Sequence, residues 1–108
     1  MSGADRPVIL YKRWLLREGT ALEDVADLVR ARIEPHYREL TTDVVLSLES
    51  HGTDAVLALQ RWPDRASLER ATSGPGFERW WEAYQPVLTA WDELVDFDAE
   101  WETEDLLG

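Results

Sequence analysis

The chain has no cysteine, one methionine and two histidines among 108 residues. Without cysteine there is no disulfide, no thiolate metal site and no thiol nucleophile. The two histidines, His36 and His51, lie far apart in sequence and offer no metal-ligand spacing, so neither a metal nor another cofactor is expected. Bases are scarce as well: 11 Lys and Arg face 22 Asp and Glu, the net charge is -11, and no Lys or Arg follows Arg79. Nucleic acid and anionic membrane surfaces demand clustered cations and are excluded as partners. No apolar run approaches the roughly 20 residues of a membrane span. The first residues also lack the basic-then-apolar pattern of an export signal, which makes the cytoplasm the expected location.

What the chain does have is alternation interrupted by helical spacing. Val8–Leu16 is β-branched, aromatic and leucine-rich and reads as a strand. Thr20 and Glu23 fit a capping box at the start of a helix over 21–34, whose apolar stripe is Leu22, Val25, Ala26, Val29 and Ile33, and Pro35 should end it. A strand over 43–50 and a hairpin turn at His51-Gly52-Thr53 lead into a third strand over 55–62. Pro63 stops that strand, Asp64 caps the next helix, and Ser73-Gly74-Pro75-Gly76 separates it from an aromatic helix carrying Phe77, Trp80, Trp81, Tyr84 and Trp91. Pro86 should kink or restart that helix. A fourth strand over 93–102 places Val95, Phe97, Ala99 and Trp101 on one face and Asp96, Asp98 and Glu100 on the other. The divisions are a loose N-terminus over 1–6, one domain over 7–102 and an acidic tail over 103–108. The order βαββαβ implies an α+β, ferredoxin-like fold: an antiparallel four-stranded sheet with helices on one face. The uncovered face must be wet, bind a ligand or meet a second copy, and so small a domain gains from pairing, so a homodimer is expected.

The motif Trp62-Pro-Asp-x-x-x-Leu68 followed by Ser73-Gly-Pro-Gly-Phe77, together with the element order over residues 8–101, resembles the antibiotic biosynthesis monooxygenase family. That resemblance implies dimerisation through the open sheet faces into an α/β barrel. It also implies a cofactor-free monooxygenase acting on a small aromatic or polyketide-like compound. The same superfamily includes cyclases, isomerases and members without known activity, so a polyketide cyclase or isomerase, or a non-catalytic ligand-binding or accessory dimer, is the alternative. Relatives that oxidise anthrone-like phenols keep an Asn four residues before the Trp, where this chain has Ala58, and a Tyr where it has Leu68. Haem-degrading relatives place an Asn, a Trp and an axial His where this chain has Lys12, Ala71 and Trp81.

With Ala58, Gln60 and Trp62 facing the barrel interior, Leu57, Leu59 and Arg61 should turn toward the helices, as should Phe97, Ala99 and Trp101. Asp96 and Asp98 then point into the barrel. Lys12 and Trp14 share a face that register favours for the cavity, while a one-residue slip would substitute Tyr11 and Arg13. On this reading Asp96 or Asp98 serves as base beside Lys12, and the substrate contacts Trp14, Trp62, Gln60, Ala58, Ser47, His36 and Tyr37. The competing reading makes the acid–base pairs cross-strand ion pairs at a dimer interface, the aromatic stripe plain core, and His36 a helix-end side chain satisfying carbonyls.

Overall fold

In the computed structural model, which describes residues 6–108, the run Val8–Leu16 forms strand β1, as its β-branched and aromatic content predicts. All but one residue of the expected loose segment 1–6 lies outside the described residues. Helix α1 (Leu22–Leu28) begins at Ala21 rather than Thr20, because the Asp24 carboxylate, not Glu23, accepts from the Ala21 amide at 2.9 Å. The helix also outlasts Pro35. A π turn, Val29–Ile33, widens the coil just before α2 (Glu34–Leu40), so the proline falls in the first turn of a renewed helix where a missing amide costs little.

Strands β2 (Val45–Ser50) and β3 (Ala55–Trp62) follow, then α3 (Arg65–Ala71), α4 (Pro75–Asp92) and β4 (Val95–Glu104). Asp64 caps α3 as expected, its Oδ1 accepting from the Ser67 amide at 2.7 Å, and that bond holds its carboxyl below the usual range. The shift gives Asp64 a stabilising role above pH 3.8, its ordinary value, that is lost as the pH falls further. Asp64→Ala will therefore lower the melting temperature at neutral pH and have a diminishing effect in acid, a difference read from melts of both proteins across the acid range. Gly74, at φ 89°, turns the chain between α3 and α4 in a conformation that favours glycine. Pro86 neither ends nor restarts α4, which runs unbroken through it.

The sheet order β2-β3-β1-β4, antiparallel throughout, is the ferredoxin-like α+β fold. Pairing of Lys12 with Ala58, Leu10 with Gln60 and Val8 with Trp62 puts these six on one face. That face lies under the helices. The core there gathers Val25, Ile33, Val56, Trp80, Tyr84, Val87, Trp91 and Val95. The expected assignment of faces is thus inverted: Ala58, Gln60 and Trp62 look toward the helices, while Leu57, Leu59 and Arg61 take the open face.

β4 departs from its sequence pattern for a local reason. Arg13 pairs with Ala99 but Trp14 pairs with Phe97, so Asp98 is the extra residue of a β-bulge. The bulge splits the expected apolar row. Phe97 turns with Trp14 toward the helices, packing edge-on to it at 5.3 Å, whereas Trp101 stacks on Tyr11 on the open face at 5.3 Å. β4 also runs two residues past the expected boundary, and Asp105 is tied to Arg61 at 2.8 Å. That contact, with the amides of Leu107 and Gly108, holds the Asp105 carboxyl low. No helix among the described residues is long and apolar enough to cross a membrane.

Candidate functional site

A cavity of about 200 Å³ opens between the helix-facing side of β1, β2 and β3 and the helical layer. Its floor is Leu10, Lys12 and Trp14 of β1, Leu46 and Leu48 of β2, and Ala58 and Gln60 of β3. Its roof is Val29 and Ile33 of the π turn, Tyr37 of α2, and Trp81, Tyr84, Leu88 and Trp91 of α4. The π turn and α2 bring Tyr37 over the sheet, because the extra backbone width at Val29–Ile33 allows the helix to continue beyond Pro35. Ser47 and Leu59 border the cavity too, although strand alternation turns their side chains to the open face, so they contribute main chain.

One hydrogen-bonded chain supports the inner wall. Trp62 Nε1 donates to Gln60 Oε1 at 3.1 Å, and Gln60 Nε2 donates to the Tyr37 hydroxyl at 3.0 Å. An indole N–H can only donate, so Trp62 fixes which way the Gln60 amide points. Burial raises the Tyr37 pKa above 10.0, against the lowering influence of the Gln60 hydrogen bond and of the neighbouring Tyr84. Burial likewise pushes Tyr84 far up, reinforced by the neighbouring Tyr37. Both phenols therefore stay neutral in ordinary buffers. Lys12 is the one charged side chain of the lining and stands exposed.

Six of the ten residues nominated from sequence meet at this cavity: Lys12, Trp14, Tyr37, Ser47, Ala58 and Gln60. The other four do not. Trp62 is fully buried behind Gln60 instead of forming a wall. His36 is turned away into a clasp with α4: its Nε2 lies 3.0 Å from the Trp80 carbonyl, and Trp80 Nε1 donates to the His36 carbonyl at 2.7 Å. The imidazole packs against both Trp80 and Tyr84 and reaches Glu39 at 3.3 Å. Asp98 and Asp96 lie on the open face in ion pairs with Arg13 at 2.7 Å and Arg17 at 3.1 Å. They are thus separated by the sheet from Lys12 and the cavity, which corrects the expected base-beside-lysine arrangement. His51 accepts from Arg13 Nε at 2.8 Å and completes that open-face cluster.

The roof residues Trp81, Tyr84 and Trp91 belong to the aromatic stripe, which the sequence allows either as core or as a stacking surface for a planar ligand. Of that stripe, Trp80, Tyr84 and Trp91 are buried while Trp81 is 46% exposed. Adjacent positions about 100° apart on a helix cannot both face the core. Among the described residues no group of three or more His, Asp or Glu stands where a metal could be held.

No protein-family model matches the chain, and no curated protein matches it in sequence. Solved structures do. SnoaB of Streptomyces nogalater, a cofactor-independent oxygenase, is similar with a TM-score of 0.60 at 17% identity over 91% of both chains. An asparagine-to-alanine variant of SnoaB gives 0.63 at 19% identity over 95% of both. A protein of unknown function from Bacteroides thetaiotaomicron, described as a possible oxidoreductase, gives 0.59 at 12% identity over 94% of this chain and 100% of that one. At such identities the likeness is one of fold.

Proposed function

We propose that the chain is a cofactor-independent oxygenase acting on a small aromatic or polyketide-like compound in the cavity beneath the helices. The observation that carries this reading is the cavity itself: an apolar, tryptophan-rich chamber holding a cation at Lys12 and a hydroxyl at Tyr37, in a fold shared with such an oxygenase. In this chemistry dioxygen oxidises a substrate carbanion; one oxygen atom enters the product as a ketone and the other leaves as water. The protein must bind the anion, hold its charge and exclude solvent. Lys12 supplies the charge, Gln60 and Tyr37 the fixed dipoles, and Trp14, Trp81 and Trp91 the walls.

The chain acts in this reading as a homodimer in the cytoplasm, paired through the open sheet face. That face carries Val45, 61% exposed, and Trp101, 43% exposed, beside Tyr11. Ala58 favours a second reading, in which the same dimer binds an aromatic ligand without oxidising it, or acts as a cyclase or isomerase, because the lining lacks the side-chain amide that the resemblance leads one to expect there.

Oxygen-electrode assays with a panel of hydroxylated anthrones and naphthols decide between them. The oxygenase consumes one dioxygen per ketone formed, and Lys12→Met abolishes most of the uptake. If none of the compounds that bind tightly draws oxygen, the first reading falls and the second stands.

A further inference from the structure

Resting on that reading of the cavity, we infer that its ligand is an anionic aromatic of one or two fused rings. It carries an acidic oxygen that pairs with Lys12 and a second acceptor oxygen that meets the Tyr37 hydroxyl. Four observations lead there.

The first is the polarity of the hydrogen bonds. No Asp, Glu or His lines the cavity. The Gln60 carbonyl is occupied by Trp62 and its amide nitrogen donates to Tyr37. The Tyr37 oxygen receives from Gln60, which leaves its own proton to donate, and the lining holds no carboxylate or imidazole to take it. The ammonium of Lys12 can likewise only donate. A ligand must therefore bring acceptors.

The second is charge. Lys12 makes no ion pair within 4.0 Å among the described residues, although Glu100 lies directly across from it on β4 on the same face. The remaining arginines nearby, Arg13 and Arg17, are on the other face and already paired. An anion entering the cavity meets an available, exposed cation whose neighbours in the lining are uncharged, and a charge-assisted contact there favours an anion over a neutral ligand.

The third is size and shape. At about 200 Å³ the cavity is smaller than the roughly 300–1,000 Å³ usual for ligand pockets. Trp14, Trp81, Trp91 and Tyr84 offer flat surfaces, which suits a planar mono- or bicyclic ring system. The fourth is the displacement of Asp96 and Asp98 to the open face. With no carboxylate base in the cavity, a substrate that is already acidic in water needs none.

Calorimetric titration with 3-hydroxy-2-naphthoate and with its methyl ester tests this at neutral pH and physiological ionic strength, where the protein's overall negative field is largely screened beyond the contact distance. The acid will bind about tenfold more tightly than the ester, the ratio set by one charge-assisted contact. Lys12→Met will bring the acid down to the ester's affinity and leave the ester unchanged. Glu100→Gln, at an exposed position that does not threaten folding, will tighten the acid alone. Tyr37→Phe will weaken both ligands by a similar factor. Equal binding of acid and ester, a preference that survives Lys12→Met, or no binding of either overturns the inference. Selective binding without oxygen uptake would instead sink the oxygenase reading and leave the charge selection standing, and uptake with acid and ester bound alike would do the reverse.

Discussion

Trp62→Ala will lower the unfolding free energy by about 3–5 kcal/mol, the range for removing a large aromatic from a closed site. The indole is fully buried, at 0% exposure, beside Val8 at the end of the β1–β3 pair, so little relaxation can fill the space it leaves. The same substitution withdraws the donor from Gln60 Oε1 and frees the amide to rotate away from Tyr37. Trp62→Phe separates the two effects. It keeps most of the volume but leaves the Gln60 carbonyl without its partner, a loss of about 1–3 kcal/mol. Urea titrations followed by circular dichroism measure both variants. A cost below about 1 kcal/mol for the alanine variant would show that Trp62 does not anchor this end of the sheet.

Above pH 10 the protein will lose stability steeply as the pH rises. Tyr37 and Tyr84 both have folded-state pKa values raised above 10.0, chiefly by burial. The unfolded chain releases these phenolic protons near the ordinary value while the folded chain keeps them. The unfolded state then binds fewer protons, and stability, complete below the unfolded pKa, falls as the pH climbs toward the folded values. Each retained proton contributes a slope of about 1.4 kcal/mol per pH unit, so the pair gives about twice that while both are still protonated in the fold. Unfolding free energies between about pH 9 and pH 11 measure the slope. Tyr84→Phe should remove about half of it. An unchanged slope in that variant would mean that Tyr84 ionises in the fold as it does in water, contrary to its buried place on the inner face of α4.

The two variants bear on function through the same contacts. If Trp62 holds Gln60 and Gln60 holds Tyr37, the cavity donor is only as well aimed as the indole is packed. Trp62→Phe should therefore disturb ligand binding at a site that the tryptophan ring does not line.

Strand β1, strand β3, the Asp64 cap and the break at Gly74 were all legible in the sequence, because each rests on interactions within a few residues: period-two alternation, a carboxylate on nearby amides, a positive φ. Of the two registers the sequence left open for β1, the structure adopts the one that puts Lys12 and Trp14 on the side of Ala58 and Gln60. Pro35 and β4 show where local rules stop. A proline predicts the end of an α-helix, but a π turn before it lets the chain go on, and that turn brings Tyr37 to the cavity. The alternation of Val95, Phe97, Ala99 and Trp101 was clean, yet a single bulge at Asp98 divides it between two faces. Nothing in a period-two pattern signals a bulge, since the extra residue is selected by the register of the neighbouring strand.

Composition and periodicity by themselves determined the βαββαβ order, the antiparallel sheet and the sets of side chains that travel together on β1 and β3. Only the tertiary structure decided which of the two sheet faces the helices cover. Alternation is symmetric under exchange of faces, so it cannot choose between them. Packing of the tryptophan-rich helix on the Ala58, Gln60 and Trp62 side makes the choice. By that one decision Lys12 becomes a cavity cation and Asp96 and Asp98 become partners of arginines on the opposite face.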